Sequence, residues 1–189
     1  MTYQKEVKDS ECNDCLMKIL LGILPFIGMI VSNAIPVFAE NDSLMTSDAS
    51  KEVLYASRIY KEAISGNPEA QFLYAQCAEF GLGIKRSLVT AHEYYEKAAI
   101  KGNAAAQYKL GEFYNLGIVV EQSDDLAFIW FQKAAEQGHV EAMFELGICY
   151  FHGYGTTESK PDAIKWWLKA AKLGHPEAKM SIEDFGCEL

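Results

Sequence analysis

The chain of 189 residues is half hydrophobic and carries 26 acidic against 17 basic side chains, a formal net charge of −9. One domain's length with that much apolar material can build a core, which excludes a chain disordered throughout. The acidic balance excludes the counterion-releasing mode of nucleic-acid binding, which needs clustered Lys and Arg, and five scattered cysteines, an odd number, exclude a disulfide framework.

From the N-terminus, residues 19–31 form a 13-residue uncharged apolar run, ILLGILPFIGMIV. That is short for a bilayer core of about 30 Å and reads as the hydrophobic region of a signal peptide. The following stretch holds Pro36 and ends Val37-Phe38-Ala39, with small residues where a signal peptidase inspects the chain. Residues 1–39 are therefore predicted to be a signal peptide cleaved near Ala39, giving an exported, periplasmic or secreted protein. Left uncleaved, the same segment is the chain's one contact with a membrane. Four acids (Glu6, Asp9, Glu11, Asp14) are unusual at the head of such a signal, whereas Met17-Lys18 leads directly into the apolar run, which makes Met17 an alternative start to Met1. Cys12 and Cys15 have CxxC spacing without the two further ligands that a tetrahedral metal site needs, so no metal is expected there. Residues 40–50, polar and aperiodic, read as a flexible leader.

Beyond them the chain repeats with a period of 36 residues: Gly66, Gly102, Gly138 and Gly174 recur at it, as do Ala70, Ala106, Ala142 and Ala178. The pairs Ala98-Ala99, Ala134-Ala135 and Ala170-Ala171 keep the same step. Such self-similarity marks stacked helix pairs, an architecture that usually binds other macromolecules. The expected units are a half repeat 51–66, repeats 67–102, 103–138 and 139–174, and a C-terminal cap 175–189. In the central repeat the first helix runs from about Ala104 to Leu116 and stops at Gly117, with Gly81 and Gly153 as its equivalents. The second starts after Ser123, matched by Ser87 and Ser159, whose hydroxyls can cap the first turn. It carries Trp130, Phe131, Ala134 and Ala135, small and large residues along one seam. Pro68 and Pro176 sit where a first-turn proline loses no hydrogen bond. Residues 51–65 are an unpaired second helix, and Pro176 to Phe185 resembles a first helix.

The pattern Ala106-x-x-x-Leu110-Gly111-x-x-Tyr114-x-x-Gly117, followed by Ala127-x-x-Trp130-Phe131-x-Lys133-Ala134-Ala135-x-x-Gly138, resembles the Sel-one-like repeat, a relative of the tetratricopeptide repeat. The resemblance covers about residues 51–189. It implies an all-α, right-handed α/α superhelix (solenoid) of helix-turn-helix repeats that acts as an adaptor, with no enzymatic activity and no cofactor, binding a protein or peptide on its concave face. Cysteine-rich bacterial relatives bracket each turn between units with a disulfide, and weak β-lactam binding or hydrolysis is attributed to them; that is the alternative function. The matching positions are Ala99 with Gln107, Ala135 with Met143, and Ala171 with Lys179, none of them cysteine. A toxin-neutralising or secretion-associated role is a further alternative. Cys77 and Cys149 share one register two units apart, roughly 20 Å at ~10 Å per unit, too far to pair, and read as small buried hydrophobes. Cys187 could approach Cys149.

With Leu110 taken as the core direction, steps of 100° place Tyr108, Glu112, Asn115 and Leu116 on the far side of their helix, facing the groove. The first repeat contributes Phe72, Gln76, Glu79 and Phe80; the third contributes Phe144, Ile148, Phe151 and His152. This surface suits an amphipathic helix or extended peptide. Phe72, Tyr108 and Phe144 are also placed to bridge neighbouring units, which leaves Ile148, Phe151 and His152 as the favoured contacts. No catalytic residue is named. His92, His139, His152 and His175 lie in different registers, with His139 and His175 replacing Asn67 and Asn103 at helix starts, a capping role. The recurring serines are caps, and no Ser/His/Asp grouping follows from spacing.

Overall fold

The computed structural model describes residues 48–184. The signal segment, its cleavage point at Ala39, the start at Met17, Cys12, Cys15, Phe185 and Cys187 lie outside the described residues. Within them the fold is all helical: α1 (Asp48–Ile64), α2 (Pro68–Phe80), α3 (Leu88–Ile100), α4 (Ala104–Leu116), α5 (Asp124–Glu136), α6 (Val140–His152), α7 (Lys160–Lys172) and α8 (Pro176–Asp184). Sequential helices pack on one another, α2 on α3, α4 on α5 and α6 on α7 within units, and α3 on α4 and α5 on α6 between them. The first helix starts at Asp48, three residues inside the stretch expected to be a leader.

Helix boundaries follow the local chemistry. Ser87, Ser123 and Ser159 accept from Thr90, Leu126 and Asp162 N–H at the starts of α3, α5 and α7. Gly81, Gly117 and Gly153 close α2, α4 and α6 in the left-handed conformation, each N–H returning to the carbonyl four residues back. Pro68 sits in the first turn of α2, where its missing N–H costs nothing.

Units are joined by a turn repeated four times. Gly66, Gly102, Gly138 and Gly174 all hold φ between 92° and 96°. The next residue's N–H then donates back to Glu62, Ala98, Ala134 or Ala170 O at 3.0–3.3 Å. In the first two joints a buried amide side chain also spans the turn. Gln71 Nε2 donates to Ala63 O at 3.1 Å and Gln107 Nε2 to Ala99 O at 3.0 Å.

The core is a seam of alanines, among them Ala91, Ala98, Ala134, Ala163 and Ala170, each fully buried, with one large aromatic ring per unit beside them: Tyr95, Phe131 and Trp167. In two units that ring lies against a glycine of the partner helix. A Cβ on Gly111 would run into the Phe131 ring, and one on Gly147 into the Trp167 indole. Trp167 also donates Nε1–H to Phe144 O at 3.1 Å. These glycines therefore lose helix propensity to gain a close aromatic contact. Cys77 and Cys149 are free and buried, as their register required, and burial pushes their thiols up to about 11 and about 12.

The turn within each unit differs in one place. Gly83 and Gly155 hold φ of 69° and 64°, and a Cβ on either would collide with the preceding second helix, at Glu52 O and Asp124 O respectively. The equivalent residue of the central unit is Val119, with φ 68°. A β-branched side chain in that region is strained.

Candidate functional site

The first helices α2, α4 and α6 turn one stripe to the second helices and leave the opposite stripe to neighbours and solvent. The expected contact residues fall on this second stripe and divide into two groups. Tyr108 and Phe144 are half-buried and reach the next unit: Tyr108 stacks on His139 with centroids 4.7 Å apart and planes at 18°, Phe144 on His175 at 4.5 Å and 22°. Phe72 lies 5.7 Å from the Tyr95 ring. Tyr108 and Phe144 thus bridge units as their register predicted, whereas Phe72 meets a ring of its own unit. Ile148 and Phe151 are also half-buried on the core, Phe151 with its ring 5.6 Å from Trp167. Their packing makes them supports as much as free contacts, a share of structural duty that sequence did not reveal.

Toward the helix ends the stripe is open. Phe80 is 54% and Leu116 65% exposed, and the exposed His152 stacks on Tyr154 at 5.1 Å. Gln76 and Asn115 are half-buried beside them.

The polar part is a carboxylate row. Tyr95 donates its hydroxyl to Glu79 Oε2 at 2.5 Å, Tyr108 to Glu112 Oε1 at 3.2 Å. Both phenols are pushed up, first by burial and then by their glutamates. Lys109 Nζ lies 2.8 Å from Glu112 and 4.0 Å from Glu79. Further along, Glu145 is half-buried, and its carboxyl is held above the usual range by burial, then by Glu112 and Glu177. Lys109 and Glu145 are absent from the sequence-based site because they share a register one residue past Tyr108 and Phe144. The signal that finds them is the 36-residue alignment Leu73, Lys109, Glu145, in which an apolar position becomes charged.

Two of the four histidines, His139 and His175, act as caps. His139 Nδ1 accepts from Ala142 N–H at 3.3 Å and His175 Nδ1 from Ala178 N–H at 3.2 Å. That nitrogen must therefore be unprotonated, and burial in turn holds His139 below its ordinary value of 6.5. Glu141 lies 3.3 Å from the same Nδ1, placed to take a proton-bearing ring instead. Among the described residues there is no cluster of three metal-ligating side chains, and no helix long and apolar enough to cross a membrane.

The Sel1 repeat family model matches residues 68–103, 104–139 and 140–175. Among solved structures the chain is similar to a Sel1 repeat protein from Oxalobacter formigenes, at 31% identity and a TM-score of 0.65 over 68% of this chain and 96% of that one. It is also similar to a protective antigen of uropathogenic Escherichia coli displaying an SLR fold, at 27% identity and a TM-score of 0.66 over 71% of this chain. The match spans 29% of that antigen's length. No curated protein matches the chain. Three consecutive family matches, laid over three helix pairs that share their serine caps, closing glycines and joint backbone, make the chain a member of the Sel1 repeat family.

Proposed function

We propose that the chain is an exported binding module that holds a protein or peptide segment against the shared face of α2, α4 and α6, the concave side of the array. Sel1 repeats commonly serve as protein–protein interaction modules. The observation that carries the reading here is the exposure of Phe80 and Leu116, at 54% and 65%, in one register with His152. A single exposed apolar side chain needs no explanation, but recurrence at one register in successive units makes a strip suited to a helix or extended peptide. Phe72, Gln76, Tyr108, Glu112, Phe144, Ile148 and Phe151 form the floor of that strip. Export is supported by the apolar run 19–31 and the Val37-Phe38-Ala39 ending. The module works by binding alone and takes no cofactor.

Crosslinking and co-purification from the native cell, with the parent chain beside a Phe80→Ser/Leu116→Ser double variant, tests the face. The variant should melt with the parent, since exposed positions usually count for less than about 0.5 kcal/mol, and should lose the captured protein. Capture of the same protein by both forms would place binding elsewhere. Intact mass of the exported form, starting at Glu40, tests the cleavage; a mass retaining residues 1–39 contradicts it.

A further inference from the structure

The face is charged as well as apolar, and its charge is one-sided. Glu69, Glu79, Glu112, Glu141, Glu145 and Glu177 lie on the first helices α2, α4, α6 and α8, against two ammonium groups, Lys109 and Lys179. Lys109 is already held by Glu112 and Glu79. α6 carries no lysine or arginine, and the single cation of α8 is the exposed Lys179, which stands at the joint register of Gln107 and Met143 rather than on the stripe of Glu112 and Ile148. Glu145 stands half-buried with Glu112 and Glu177 as its charged neighbours. Glu141 and Glu177 lie 3.3 and 3.8 Å from His139 and His175, rings whose Nδ1 is committed to a backbone N–H. Beside these carboxylates lies the apolar shelf of Phe144, Ile148 and Phe151, packed on the core from below.

Covering such a face with a neutral or acidic partner would desolvate like charges without compensation, which opposes binding. A cationic partner reverses the sign, and its approach is steered by the same field. We propose that the α4–α6–α8 end of this face docks an amphipathic segment of a partner protein, with Lys or Arg side chains set against Glu112, Glu145 and Glu177 and its apolar side on Ile148 and Phe151. The proposal rests on the binding face proposed above and adds the chemistry of its occupant.

The test titrates the full chain with a fluorescent 14-residue Leu/Lys amphipathic peptide and with its Leu/Glu counterpart. The Leu/Lys peptide should bind and the Leu/Glu peptide should not. Glu145→Gln/Glu177→Gln should weaken the Leu/Lys peptide at least about tenfold, while Glu93→Gln/Glu96→Gln, the same charge removed from exposed positions on α3, should change it less than about twofold. Equal loss in both doubles would reduce the effect to bulk charge and overturn the proposal, as would no binding of the Leu/Lys peptide. Binding of the Leu/Glu peptide that disappears in Phe80→Ser/Leu116→Ser would overturn the cationic occupant while keeping the face. Peptide binding indifferent to both the apolar and the Glu145/Glu177 doubles would remove the face as well.

Discussion

The two N-terminal joints of the array and the two C-terminal ones have the same backbone and different chemistry. Where α1 meets α2 and α3 meets α4, the caps are Asn67 and Asn103, the clamps are Gln71 and Gln107, and Asn103 Nδ2 reaches Glu69 at 2.9 Å. Where α5 meets α6 and α7 meets α8, the caps are His139 and His175, each lying flat against an aromatic ring of the preceding unit, and the clamp positions hold Met143 and Lys179. The glycine φ values and the return hydrogen bond are common to all four. Backbone geometry thus sets the joint, and side chains choose whether amides or stacked rings secure it. Of the two cap types only the ring is ionisable, and burial holds the His139 ring below its ordinary value.

The largest break is steric. Ala134 is fully buried in the α5–α6 joint, and Ala134→Leu should destabilise by about 1–3 kcal/mol in thermal melts through overpacking. Next is Gln107→Met, which gives the second joint the third joint's side chain. It removes the bond to Ala99 O and the one that Gln107 accepts from Gln137. Ala99 O keeps the Gly102 N–H at 3.0 Å, so no carbonyl is orphaned and the cost should be about 0.5–1.5 kcal/mol by denaturant midpoint with an unchanged slope. His139→Asn goes the other way, giving the third joint an amide cap. At neutral pH it should cost no more than the lost stack, about 0.5–1.5 kcal/mol, and it should abolish the acid response of that joint. The smallest effect lies outside the joints. Val119→Gly should stabilise by roughly 0.5 kcal/mol, since relief of left-handed strain of about 1–2 kcal/mol outweighs the glycine's chain entropy of about 0.5–1. A melting point below the parent's would show that Val119 packs well enough to offset its conformation.

Much of this architecture was legible because it rests on residues whose backbone chemistry is local. The glycines that end helices, the serines that start them and the prolines in first turns were each placed by their own stereochemistry. The terminal α8 was anticipated from Ala178 and Ile182, both fully buried. What was not legible depends on distant pieces meeting. Gly111 and Gly147 look like poor helix formers until Phe131 and Trp167 are seen against them. Ile148 and Phe151 look free when a helix is projected by itself, because the projection omits Trp167. Val119 gives no sign of its φ, since only the alignment with Gly83 and Gly155 exposes it.

Acid should act on the two halves differently. His139 is held below 6.5 in the folded chain, so the unfolded chain binds the proton first. The stability its neutral cap contributes is complete above about 6.5 and is lost as pH falls through that value toward the lowered one. Glu145, raised from 4.5 first by burial and then by Glu112 and Glu177, has the opposite effect: the cost of burying its charge beside two others is relieved as pH falls through its raised value. The two opposing contributions blur any global melt, so the direct measurement is site-resolved. Amide exchange at Ala142, capped by His139, should be compared with Ala106, capped by Asn103 at 2.8 Å, between about pH 7.5 and 5, each corrected for its intrinsic rate. Protection at Ala142 should fall relative to Ala106 on acidification, and His139→Asn should erase the difference. Equal protection ratios at both pH values in the parent would contradict a titratable joint.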